Sequence, residues 1–292
     1  MINSESKGFA ADARAAHGAC VCDMGLRVRD AAQTVDRATR LGAPEFSQPV
    51  GSGELDIPAI KGVGQTVVHF IDEKSDLHRV WDIEFLPTDS ASSVQPSGIR
   101  RIDHVAQTMH YQEMQSWLTY YLTTFEMEKA RVVDVADRSG LVLSQALASP
   151  EGEVRLNLNG AGEQRTFAGA FLADGFGAGV QHIALSTDDI FETSEKLREN
   201  NFERLPIAAN YYDDLKARFG IDDELLNNLR KGNILYDQDG NAEYFQIYSV
   251  PIFNGLFFEI VERRGGYQGY GARNAPIRLA AQMEFTKNRA KA

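Results

Sequence analysis

His104 in RIDHVAQT and His182 in GVQHIALS sit in apolar text that alternates with period two, and Glu259 sits the same way in LFFEIVE. In such strands Val180, His182 and Ala184 share one face, as do Phe257, Glu259 and Val261. A carboxylate among phenylalanines is costly unless something compensates it, and a divalent cation is one such partner. Two imidazoles and one carboxylate on one face of an octahedral ion leave three positions open. That set suits a non-haem Fe(II) that activates O₂. No two of the three residues are close in sequence, so three distant strands would have to converge. The residues alone leave the bland alternatives standing: a hydrogen-bonded structural histidine in a strand, and a glutamate at a sheet edge.

The elements that would position them follow from periodicity and punctuation. CVCDMGLRVRD reads as a strand ending in a helix start. AAQTVDRATRLGA reads as a helix, with Ala32, Val35, Ala38 and Leu41 at helical spacing and Gly42 ending it. TVVHFID and HRVWDIEFL read as strands. Residues 1–16 show no stable period. PTDSASSVQPSGI, at 87–99, reads as a linker between an N-terminal unit (1–86) and a C-terminal unit (100–292). Beyond it come the strand IDHVAQTM, the amphipathic helix YQEMQSWLTYYLTTF and the strands ARVVDVA, LVLSQALAS and EVRLNLN. GVQHIALSTDDI runs as a strand into the helix FETSEKLREN. IDDELLNNLRKGN is a further helix, and EYFQIYSVP and GLFFEIVER are strands. The tail from Asn274 reads as an amphipathic helix, with Asn274 as cap and Pro276 in the first turn.

DMGLRVRDAAQTVDRATRLG can be laid over HIALSTDDIFETSEKLRENN, which pairs Leu26 with Leu185 and Asp30 with Asp189. We read this as an internal repeat. It sets Asp23 opposite His182, so the earlier copy lacks that imidazole.

The 292 residues are 43% hydrophobic and 24% charged, an ordinary globular balance. A net charge of −11 argues against nucleic acid or an anionic membrane as the main partner. No apolar run suits a membrane span, and the first twenty residues show no signal-peptide pattern. Cys20 and Cys22 are one residue apart, where a disulfide would be strained. They read as reduced thiols in the core of a cytoplasmic protein.

From Ile102 to about Ala281 the chain resembles the catalytic domain of the 4-hydroxyphenylpyruvate dioxygenase family. The matching text is DHV (103–105), SPEGEVRLNLN (149–159), GAGVQHIALSTDDI (177–190), Pro206 followed by YYDDLKAR (211–218), GNILYDQDG (232–240), FQIYS (245–249) and FFEIVERRGGYQGYG (257–271). RLGAPEFSQPVGSGELDIPAIKGVG (40–64) resembles that family's non-catalytic domain. The resemblance implies an α+β, vicinal oxygen chelate fold of paired βαβββ modules forming an open half-barrel around a metal, with the N-terminal module incomplete. It implies that His104, His182 and Glu259 ligate Fe(II), with another divalent metal as the alternative. The open positions would serve a 2-oxoacid and O₂, for oxidative decarboxylation and ring hydroxylation of 4-hydroxyphenylpyruvate to homogentisate. Ser144, Asn159, Gln181 and Gln246 match polar pocket positions of the family, and Phe257 matches an apolar wall. The C-terminal helix would act as a lid.

Departures fall on the part that reads the ring. Phe167 stands for a polar Gln, Tyr248 and Tyr270 each stand for a Phe, and Ala275 stands for the Phe that closes over the ring. GGYQGYGARNAPIRLAAQ (265–282) is more similar to bacterial fusions in which a sugar-isomerase-like 3-dehydroshikimate dehydratase barrel precedes a domain of this kind. By that resemblance the chain is the C-terminal portion of a longer protein, fused to or paired with a dehydratase barrel. The exposed sheet edges of a half-missing domain would favour a homo-oligomer. Two functions follow as expectations: an Fe(II) dioxygenase, or a dioxygenase-like half of a bifunctional dehydratase without dioxygenase turnover.

Overall fold

In the computed structural model, residues 1–86, 96–130, 132–137 and 139–289 are described. The read linker falls, over 87–95, outside them. Helix α1 (Phe9–His17) precedes β1 (Asp23–Arg27), α2 (Ala31–Arg40), β2 (Glu45–Phe46), β3 (Ala59–Lys61) and β4 (Val67–Ile71). These strands form a four-stranded sheet in the order β1-β4-β3-β2, with β1 and β4 parallel. One face packs Ile60, Val68 and Phe70 against Ala31, Val35 and Ala38 of α2. On the other face, Phe9 of α1 meets the rings of Phe46 and His69.

Three expectations fail in this region. The Ser-Ala-charge stretch at the start forms α1, because alanine-rich text forms helix without an apolar stripe and none of α1 is buried. HRVWDIEFL is not a strand. Ser75 caps the Leu77 amide, and a 3₁₀ turn runs into α3 (Val80–Ile83). Its buried residues, Leu77 and Val80, are three apart, a helical spacing rather than alternation. The cysteines also differ from expectation, since Cys20 is exposed and Cys22 half-buried, both as free thiols.

The larger unit runs β5 (Ile99–His110), α4 (Tyr111–Thr124), β6 (Glu128–Lys129), β7 (Val133–Asp137), β8 (Gly140–Ala148), β9 (Arg155–Ala161), α5 (Phe167–Asp174) and β10 (Gly179–Thr187). It continues with α6 (Ile190–Glu199), α7 (Ala209–Phe219), α8 (Asp223–Gly232), β11 (Leu235–Asp239), β12 (Ala242–Tyr248), β13 (Phe257–Arg264) and α9 (Ala275–Arg289). Its strands make one mixed sheet, β11-β12-β13-β10-β5-β9-β8-β6, with β7 also on β8, curled into an open half-barrel. Two βαβββ modules compose it, each closing with its last strand parallel to its first: β9 on β5, and β13 on β10. They join through the antiparallel β5–β10 pair. The N-terminal unit holds one such module, closed by β4 on β1. Apolar cores lie under α4 and among α6, α7, α8 and β11–β13.

The internal repeat is physical. Asp30 and Asp189 both cap the helix that follows the first strand of a module, each cap contributing about 1 kcal/mol. The last strands repeat the pattern. Asp23 is level with Val67 as His182 is level with Phe257. Asp72 then accepts the Ala31 amide at 2.8 Å, and Glu262 at the equivalent position accepts the Ile190 amide at 2.8 Å.

Candidate metal centre

β13, β10 and β5 are consecutive in the sheet, which brings the three distant residues together. His104 Nε2 lies 3.3 Å from His182 Nε2 and 3.4 Å from Glu259 Oε2, and the latter two are 3.5 Å apart. Adjacent ligands on a first-row ion with ~2.1 Å bonds are about 3 Å apart, so this near-equilateral set fits one divalent cation. The His104 and Glu259 side chains are 1% and 2% exposed, and His182 is 12% exposed. The way in is therefore on the His182 side.

Each donor is held by a specific neighbour. The β5–β10 pairing slips between Ala184 and Leu185, opposite Asp103. Asp103 and His104 then meet, with Asp103 Oδ1 2.8 Å from His104 Nδ1. Asp103 in turn accepts two hydrogen bonds from Arg263, each of 2.8 Å. A histidine that donates Nδ1–H to a carboxylate presents its Nε2 lone pair to the metal. Burial opposes charge on His104, yet Asp103 and Glu259 outweigh it and raise its pKa. His182 stacks on Phe257 with ring centroids 4.8 Å apart. Burial pushes its pKa down to about 3, so it stays neutral.

Glu259 uses its two oxygens differently. Oε1 accepts from Gln246 Nε2 at 2.8 Å, from Tyr248 OH at 3.2 Å and from Tyr244 OH at 3.4 Å. Oε2 is left for the centre. Burial would raise the Glu259 pKa, but His104, His182 and Gln246 outweigh it and hold the carboxyl at about 2.

The other sequence-named residues divide into two groups. Gln246 is fully buried, and its amide oxygen accepts from Asn274 Nδ2 at 2.8 Å. Its amide is thus spent between Glu259, Tyr248 and Asn274. Phe257 is buried beneath His182. Ser144 and Asn159 face each other across β8–β9, on the face shared by Ala106 and His104. Gln181 reaches that face through a slip in the β10 pairing, its Oε1 accepting from Thr108 at 2.8 Å while its Nε2 is buried without a partner among the described residues. Phe167 lies 6.4 Å from the Phe257 ring, and Tyr270 sets its edge on His104 at 5.1 Å.

Asn274 is not the helix cap expected. Its side chain is buried and bonds Tyr211, Tyr236 and Gln246, because a polar amide at that depth must find partners inside. Sequence reasoning missed Asp103, Arg263, Tyr244 and Asn157. The last is buried beside Asn159 on β9, its Oδ1 without a partner among the described residues. The DH pair at 103–104 was a usable signal for Asp103, and nothing local marked the others.

Fold and site together define a protein of the glyoxalase and dioxygenase class. Residues 101–242 match the Glyoxalase/Bleomycin resistance protein/Dioxygenase superfamily, and residues 1–86 match the N-terminal family of hydroxyphenylpyruvate dioxygenase. The chain is 31% identical over 277 residues to a 4-hydroxyphenylpyruvate dioxygenase of Legionella pneumophila, covering 94% of this chain and 78% of that one. It belongs to the 4-hydroxyphenylpyruvate dioxygenase family. It is also 37% identical over 285 residues to a 3-dehydroshikimate dehydratase of Pseudomonas aeruginosa, covering 97% of this chain but 45% of that protein. The chain thus spans about half the length of that relative. A solved structure described as a xylose isomerase-like TIM barrel/4-hydroxyphenylpyruvate dioxygenase fusion protein superposes with a TM-score of 0.82. It is 36% identical, over 97% of this chain and 44% of that one. Among the described residues, no helix is long and apolar enough to cross a membrane.

Proposed function

We propose that the chain is an Fe(II)-dependent dioxygenase of the 4-hydroxyphenylpyruvate type, acting on a 2-oxoacid and O₂. His104, His182 and Glu259 would hold the metal. The observation that carries this reading is the buried triangle of two imidazole nitrogens and one carboxylate oxygen on adjacent strands. Ferrous iron bound there supplies the Lewis-acid and redox chemistry that oxidation of a 2-oxoacid by O₂ requires. The protein's part is positional. Asp103 fixes the tautomer of His104, and Gln246, Tyr244 and Tyr248 hold one oxygen of Glu259 away from the centre. Phe257 fixes the His182 ring. Ser144, Asn159 and Gln181 line the face on which an organic acid would lie. We further propose the division read from the sequence, 1–86, a linker from 87 and 100–292, with the last linker residue, Ile99, belonging instead to β5, and a cytoplasmic setting.

Anaerobically purified protein loaded with Fe(II) and given 4-hydroxyphenylpyruvate tests the reading. Oxygen uptake matched by homogentisate supports it. His182→Ala and Glu259→Ala should lose iron while keeping the fold, and full iron occupancy in either would sink the ligand assignment. The second reading is the dioxygenase-like half of a bifunctional 3-dehydroshikimate dehydratase, favoured by the likeness to a dehydratase of about twice this length. Bound iron without uptake would favour it.

A further inference from the structure

Helix α9 packs against β7 and turns two polar residues, Arg278 and Gln282, to its inward face. The Arg278 guanidinium lies 5.1 Å from the Phe257 ring centroid and 5.7 Å from that of Tyr248. Those rings touch the candidate centre directly: Phe257 stacks on His182, and Tyr248 bonds Glu259. No carboxylate among the described residues lies within ion-pair distance of Arg278. Its one side-chain hydrogen bond among them goes to Gln282 Oε1, at 2.6 Å. Asp137 is the near acid outside the centre, and its oxygens are engaged by the amides of Ser139 and Phe167. Burial lowers the pKa of Arg278, as expected for a cation short of counter-charge.

Gln282 supplies the second observation. Its side chain is fully buried, and its Nε2 has no acceptor among the described residues. Because Gln282 Oε1 is held by Arg278, this unused N–H₂ lies beside the guanidinium. A half-buried cation without a carboxylate partner and a fully buried orphan donor side by side are a site for an anion.

We propose that Arg278 and Gln282 bind a carboxylate of the ligand, a second one beyond the group that reaches the metal. The substrate class is therefore a dicarboxylic 2-oxoacid. The inference rests on the functional reading above. Charge counting agrees with it. A divalent cation, the Glu259 carboxylate and the Arg278 guanidinium sum to two positive charges, which a dianion neutralises. The altered ring end also agrees, because Ala275 stands where the family resemblance places an aromatic clamp.

The test compares phenylpyruvate with 4-carboxyphenylpyruvate by anaerobic calorimetry on the Fe(II)-loaded protein, with iron content measured in parallel. The 4-carboxy acid should bind the wild type at least tenfold more tightly. Arg278→Leu should erase that preference at unchanged iron content, and Arg278→Lys should restore part of it. Equal binding of both acids to the iron-loaded wild type overturns the anion site and leaves the metal reading intact. A preference that survives in Arg278→Leu overturns it too. A wild type that retains no iron overturns the metal reading itself, and this proposal with it.

Discussion

Asn274 Nδ2 donates to Gln246 Oε1 at 2.8 Å, and through that bond the start of the C-terminal helix grips the carboxylate of the candidate centre. The fit is tight: a Cβ on Gly271, whose φ is +57°, would lie 2.3 Å from Gln246 Oε1. Asn274 thus holds the end of the Gln246 amide opposite the one that serves Glu259. Asn274→Ala should weaken metal binding by about 10–100-fold, the usual effect of losing a group that orients a ligand. It should also cost about 1–3 kcal/mol of stability through the polar atoms left buried. Competition with a chelator and urea unfolding read the two effects. Unchanged metal affinity would show that Glu259 is held without this chain of bonds.

Asp103 is shared between His104 and Arg263, with Arg155 3.7 Å away. Asp103→Asn keeps the shape but removes the charge, and an amide can present its N–H₂ to His104 in the wrong sense. Metal affinity should fall by about 10–100-fold. The Arg263 charge, left half-buried beside Tyr244 and Tyr270 without its carboxylate, should cost about 1–3 kcal/mol. A variant with wild-type affinity and stability would refute this role.

Asp72 gives a pH dependence away from the site. The Ala31 amide, then the Ser75 hydroxyl and amide, hold its pKa down at about 2. The ordinary aspartate value is about 4, so the folded state favours the ionised form. Its contribution to stability is full above that ordinary value and is lost as pH falls towards 2. The gap in urea midpoint between wild type and Asp72→Asn should therefore narrow as pH drops from 4 to 2. A gap constant over that range would count against it.

Gly64 sits in the turn between β3 and β4 at φ +62°, where a Cβ would come within 1.9 Å of Ala178 O. That carbonyl immediately precedes β10, the strand of His182. Gly64→Ala should destabilise the protein by about 1–3 kcal/mol, from the strained backbone plus a displaced contact between the two sheets. Thermal or urea unfolding measures it, and a neutral substitution would mean the turn can move aside without loss.

How much of this was legible in the chain is seen at the internal repeat. The overlay of Asp30 on Asp189 was readable because a cap must precede its helix and both follow a strand. The overlay of Asp23 on His182 was readable for the same reason. Unreadable was the other half of the pair. His69 stands two residues past Val67 as Glu259 stands two past Phe257, and its Nδ1 lies 2.9 Å from Asp23. The N-terminal module thus keeps an acid–imidazole pair at the positions of His182 and Glu259, with acid and imidazole exchanged. That correspondence depends on strand register, which local text does not encode.

The sequence by itself determined most of the strands, the helices α2, α4, α6, α8 and α9, the family and the residue types able to hold a metal. Alternation, caps and motif order are local properties written along the chain. Tertiary structure decided which donors meet, since His104, His182 and Glu259 converge only because β5, β10 and β13 are neighbours. It decided that Asn274 and Gln246 act as a brace, because burial obliges each amide to find a partner inside. It also left Arg278 facing inward without an acid at ion-pair distance among the described residues. Whether a cation has a partner depends on what the fold packs around it, and no spacing along the chain records that.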